Sequence, residues 1–159
     1  MEPSLILSPL RYTGGLWQGG WSDENVRAIP GPLWIVNLAD DPEKRDDSHF
    51  ADGKQIVGCL YRGIPDSRDG VLSDGDYFNL LRLLRALLYD GNNLYIHCWS
   101  GWSRSSYLTM GILMSEFRLG YDEALAFLKS KRPQAQPNCF FEAHLRTMES
   151  RLRQMREIV

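Results

Sequence analysis

The chain has 159 residues, 43% of them apolar and 24% charged, and a formal net charge of −2. At this length a single domain buries roughly 70% of its unfolded surface, so residues 1–159 are expected to form one globular unit without staples. The balanced charge offers no field for polyanions, and no run of about 18 apolar residues could span a bilayer, so composition excludes extended nucleic acid and membrane as expected partners.

The cysteines are Cys59, Cys98 and Cys139, widely spaced and without a Cys-x-x-Cys pair. That pattern argues against a disulfide framework or a zinc site and for a reducing compartment. The opening "MEPSLILSPL" lacks the basic segment and long apolar run of a signal peptide, which makes a cytoplasmic location the expectation.

In chain order, "GLWQG" at 15–19 is a weak strand candidate. "SDENVRAI" at 22–29 predicts a short helix, with Ser22 in the capping place and Asn25 three residues on. "LWIVNL" at 33–38 is a short apolar run of buried-strand type. The polar stretch "ADDPEKRDDSHFADGK" at 39–54 reads as a solvated connection. "QIVGCLYRGI" at 55–64 is a further strand, with Cys59 expected in the core.

"SDGDYFNLLRLLRALLYDG" at 73–91 repeats leucines at helical spacing, with Asp74 and Asp76 in the first turn and Gly91 as the stop. "NLYIHC" at 93–98 is the next buried strand, and a helix follows from about Arg104 to Gly120. Asp122 is placed to cap "DEALAFLKSK". The last helix begins at Cys139 and lines Phe141, Leu145, Met148 and Leu152 along one face. Strands alternating with helices predict an α/β domain with a mostly parallel sheet of four to five strands, flanked by helices.

The chemistry concentrates in "YIHCWSGWSRSS" at 95–106. A buried strand ending at Cys98, a short loop and a helix starting near Arg104 present unpaired N–H groups and a partial positive charge, which together form an anion site. Gly101 lets successive amides turn inward, and Arg104 can clamp two oxygens of a tetrahedral dianion. A cysteine in such surroundings is a competent nucleophile at neutral pH. The candidate anion-binding residues are therefore Trp99, Ser100, Gly101, Trp102, Ser103 and Arg104.

His97, Cys98, Gly101, Arg104 and Ser105 match the His-Cys-x-x-Gly-x-x-Arg-Ser/Thr signature, and the sequence resembles the protein tyrosine phosphatase superfamily, in particular its dual-specificity branch. "KSKRPQAQPNCFFEAHL" at 129–145 is similar to the segment that closes that fold, and "LWQGG" and "LWIVNL" are similar to its first strands. The resemblance implies that Cys98 attacks phosphorus to form a cysteinyl phosphate, and that Arg104 and the loop amides hold the equatorial oxygens. It implies also that Ser105 hydrogen-bonds the departing thiolate and that His97 orders the loop. No metal or other cofactor is implied. Phosphorylated protein or peptide is the implied substrate, open to phosphoserine, phosphothreonine and phosphotyrosine.

The leaving group needs a proton donor. Asp66 in "GIPD" resembles the family's acid, which follows a strand-end Ile or Val; Asp69 is the alternative. Trp99 and Trp102 are expected to pack the loop against its neighbours, with a pocket-rim position as the other reading. Neither His49 nor His144 has an assignable partner. Rival readings are an RNA 5′-triphosphatase, a phosphate-binding module without turnover, and a rhodanese-like or arsenate-reducing enzyme that uses Cys59 or Cys139.

Overall fold

The computed structural model describes residues 1–9, 14–24, 26–45, 47 and 55–155. Five strands, β1 (Ser4–Leu7), β2 (Leu16–Gly20), β3 (Leu33–Ala39), β4 (Ile56–Ile64) and β5 (Asn93–Cys98), form one sheet in the order β1-β2-β5-β3-β4. β1 runs antiparallel to β2, and the β2–β5, β5–β3 and β3–β4 pairings are all parallel. The mostly parallel sheet expected from the sequence is therefore present. β1 is an addition, because a four-residue strand inside "MEPSLILSPL" carries too little pattern to stand out.

Four helices follow: α1 (Asp74–Tyr89), α2 (Arg104–Phe117), α3 (Tyr121–Lys131) and α4 (Cys139–Arg153). None of the described helices is long and apolar enough to cross a membrane. α1 begins as its sequence suggests, with the Ser73 hydroxyl accepting from the Asp76 N–H at 3.1 Å. α2 is buried on all sides from Arg104 to Ser115, polar Ser105, Ser106, Thr109 and Ser115 included, and packs against β5, α3 and α4. α4 buries Phe141, Leu145, Met148 and Leu152, worth about 1.5–3 kcal/mol each. Asn138 caps it by accepting from the N–H groups of Phe140 and Phe141.

Four expectations are corrected. Residues 22–29 form only a 3-10 turn at Val26–Ala28, since so short a segment running into Pro30 cannot sustain a costly helix nucleus; Asn25 lies outside the described residues. α2 stops at Phe117 rather than at Gly120, because Arg118 takes a left-handed conformation with φ 55°. Gly120 then becomes the N-cap of α3, which leaves Asp122 inside the first turn and not at the cap. Cys59 is exposed on the edge strand β4, not in the core, because alternate residues of that strand face outward.

Because β2, β3, β4 and β5 are parallel, their C-terminal ends gather at one edge of the sheet. β5 lies between β2 and β3, so its exit emerges among the others, which is where α/β sheets place their ligand crevices.

Candidate active site

Cys98 is the last residue of β5 and is buried; its thiol donates to the Ser105 hydroxyl at 3.5 Å. Residues 99–103 then form a loop that delivers the chain to the start of α2 at Arg104. Every carbonyl of this loop is bonded away from it. That of Trp99 accepts from the Trp21 N–H at 2.9 Å, and that of Ser100 from Arg132 Nη2 at 3.1 Å. The Gly101 carbonyl accepts from Gln18 Nε2 and from Arg132 Nε, both at 3.0 Å. The Trp102 carbonyl accepts from Ser106 Oγ and the Gln136 N–H, and the Ser103 carbonyl from the Tyr107 N–H. A trans peptide whose C=O is tied outward turns the following N–H the opposite way, so these bonds leave the loop amides facing away from the partners of its carbonyls.

Gly101 has φ +75°, and a Cβ there would lie 2.5 Å from the backbone of Gly19. The loop thus packs directly on the end of β2, an approach that requires glycine. Arg132 is 1% exposed and pairs with Asp23 at 3.4 Å while it holds the loop carbonyls. Gln18 is also fully buried, with its Nε2 bonded to Ser106 Oγ at 2.9 Å as well as to the loop. Neither role is legible in the sequence, since a lone Gln and an Arg-Pro pair acquire meaning only through contacts more than 30 residues away along the chain.

The exit of β3 forms a wall beside this loop. Arg104 Nη1 donates to Asp40 at 2.9 Å and to the Ile64 carbonyl at 3.2 Å, and Nη2 donates to Asp41 at 3.4 Å. His97 is fully buried, with Nδ1 hydrogen-bonded to the Cys98 carbonyl at 3.2 Å and Nε2 to Asp47 at 2.9 Å. The buried Asn37 side chain ties the wall back by donating to the Lys44 carbonyl at 2.8 Å and to Asp47 at 3.3 Å. The reading of 39–54 as a bland connection is thereby corrected at Asp40, Asp41 and Asp47, whose carboxylates bond Arg104 and His97. His49 lies outside the described residues.

Of the two candidate acids, Asp66 stands at the loop. Its carboxylate accepts from Ser103 Oγ at 2.6 Å and from Asn138 Nδ2 at 2.8 Å, while Ser103 Oγ accepts from the Asn138 N–H at 2.9 Å. Asp69 is exposed in the 3-10 turn Arg68–Gly70 and, among the described residues, bonds to none of the loop. Trp99 and Trp102 are 54% and 48% exposed, so each covers part of its surface against its neighbours and leaves part open beside the loop. Cys139 is exposed at the first turn of α4. His144, without an assigned partner in the sequence, hydrogen-bonds the Tyr107 hydroxyl at 2.5 Å and Asp74 at 2.7 Å.

Residues 72–151 match the family model described as dual specificity phosphatase, catalytic domain. The chain belongs to that family. Among dual specificity phosphatases, human dual specificity protein phosphatase 1 is 29% identical over 145 residues, which is 91% of this chain and 36% of that protein. The MAP kinase phosphatase with leucine-rich repeats protein 3 of Dictyostelium discoideum is 33% identical over 93 residues, or 58% of this chain and 11% of that one. The chain therefore spans about a third, or less, of the curated relatives it matches here. A mouse putative dual specificity phosphatase, solved with zinc tungstate, shares the fold with a TM-score of 0.74 at 22% identity, over 94% of this chain and 87% of that one. The matched segment contains Cys98, Arg104 and Ser105 but starts after Asp66.

Proposed function

We propose that this chain is a cysteine-dependent phosphatase that hydrolyses phosphate monoesters of tyrosine, serine and threonine in proteins. The observation that carries the reading is the loop 99–103, whose carbonyls are all bonded away from it while Cys98 stands at its base and Asp66 at its edge. The amides and the Arg104 guanidinium bind the three non-bridging oxygens and stabilise the charge that spreads over them as phosphorus is attacked. Asp40 and Asp41 hold the guanidinium by Nη1 and Nη2, which keeps the edge carrying Nε directed at the anion.

In the first step the Cys98 thiolate forms an S–P bond as the P–O ester bond breaks, and Asp66 gives its proton to the leaving oxygen. In the second step water attacks phosphorus, the now ionised Asp66 takes the proton, and the S–P bond breaks. Ser105, 3.5 Å from the sulfur, turns its hydroxyl to donate to the departing thiolate. His97 fixes the nucleophile's carbonyl and so its direction.

Residues 99–103 contain no lysine or arginine, so the loop adds no charge for a polyphosphorylated head group. The test is turnover of phosphotyrosine and phosphothreonine peptides and of triphosphate-ended RNA by wild type and Cys98→Ser. Peptide hydrolysis that disappears in the variant supports the reading; turnover of the RNA alone overturns it.

A further inference from the structure

Lys44 is a cation that the proposed chemistry does not use. It ends the 3-10 turn Pro42–Lys44, directly after the two aspartates that hold Arg104. Its backbone is fixed at both ends: the N–H donates to the Asp41 carbonyl at 2.8 Å, and the carbonyl accepts from Asn37 Nδ2 at 2.8 Å. Its ammonium lies 4.1 Å from the ring centre of Trp21 and 5.5 Å from that of Trp99. Trp99 follows the nucleophile directly, and its carbonyl is bonded to the Trp21 N–H. Lys44 is thus built onto the rim of the phosphate loop.

The indoles hold this cation without neutralising it, so its ammonium hydrogens stay available as donors. Of the nearby acids, Asp40 and Asp41 pair with Arg104 and Asp47 is hydrogen-bonded to His97, while Glu43 precedes Lys44 in the same turn. Among the described residues no carboxylate pairs with Lys44. Across the loop, beside Asp66, Arg68 sits 5.3 Å from the ring centre of Phe140, whose N–H bonds to Asn138. The phosphate loop is therefore bordered on both sides by a cation resting on a partly exposed aromatic ring.

We propose that Lys44, held between Trp21 and Trp99, selects phosphopeptides that carry an acidic side chain next to the phosphorylated residue. This deepens the phosphatase reading and rests on it. The free carboxylate of such a peptide meets an ammonium placed over two indoles beside the loop, whereas a neutral side chain at that place gains nothing. Rim charges of this type select among partners more than they add raw affinity.

The test compares kcat/KM for a phosphotyrosine peptide flanked by Glu with that for the same peptide flanked by Gln, in wild type, Lys44→Arg, Lys44→Ala and Lys44→Glu. The ratio within each variant cancels any shared loss of folding or chemistry. Wild type is expected to favour the acidic peptide about tenfold at low salt, with the preference shrinking as salt rises. Lys44→Arg keeps the preference, Lys44→Ala brings the ratio close to unity, and Lys44→Glu inverts it. A ratio unchanged in Lys44→Ala, or no preference in wild type, overturns the assignment. Hydrolysis of an aryl phosphate, measured beside it with Cys98→Ser as control, reports separately on the phosphatase reading. Cys98-dependent turnover with an unresponsive ratio sinks only the role of Lys44; turnover that ignores Cys98 sinks both.

Discussion

The Ser103 hydroxyl donates to Asp66 at 2.6 Å, joining the residue just before Arg104 to the residue that opens the turn after β4. The phosphate loop and the proposed acid are thereby held as one object, with Asn138 as the third member.

Asp66→Asn removes the transferable proton but keeps an acceptor for Ser103. It is expected to lower kcat about 10²–10⁴-fold on alkyl phosphates, with a smaller loss on esters of acidic phenols whose leaving groups need less help. Asp69→Asn is expected to stay within a few-fold of wild type. Steady-state rates against a series of leaving groups check this, and a steep leaving-group dependence in Asp69→Asn alone would transfer the role.

Arg132 binds the carbonyls of Ser100 and Gly101 and pairs with Asp23, which is also buried. Arg132→Met leaves Asp23 charged and unpaired inside the protein, which is expected to cost about 3–5 kcal/mol in urea unfolding. Adding Asp23→Leu should recover much of that stability but not the phosphatase rate, because the loop carbonyls remain untied. Recovery of both would show that Arg132 acts only as the partner of Asp23.

Asp74 is held below the usual carboxylate range by its hydrogen bond to His144 first and that to Arg151 second. A depressed acid contributes stability above its unfolded value and loses it as pH falls through the folded one. Asp74 is half exposed, so solvent limits the effect to about 1 kcal/mol at neutral pH, or roughly 2–4 °C in Tm. Thermal melts of Asp74→Asn should show this deficit at pH 7 and its disappearance below the carboxylate range.

The strands at 33–39, 56–64 and 93–98 stand out in the sequence because each is a short apolar run between turn formers, and period alone locates α1 and α4. The signature from His97 to Ser105 is legible because the nucleophile, the glycine and the arginine are contiguous in the chain. What holds them is not. Gln18 and Arg132 bond the loop, Asp40 and Asp41 hold Arg104, Asp47 bonds His97 and Asn37 bonds Asp47, and their residue types alone fit any polar surface. The preference for Asp66 over Asp69 comes from the local "GIPD" pattern, and the approach of Ser103 and Asn138 to Asp66 supports it from contacts that the sequence does not show.

The central claim is that Cys98 carries the phosphoryl group covalently between two substitutions at phosphorus. The most direct measurement is mass spectrometry of peptides from enzyme mixed with an aryl phosphate and quenched in acid within the first turnover, using Asp66→Asn to slow release. A phosphate adduct on Cys98, absent from Cys98→Ser, is the predicted result. Turnover with no adduct at any quench time, or an adduct on another residue, would contradict the account.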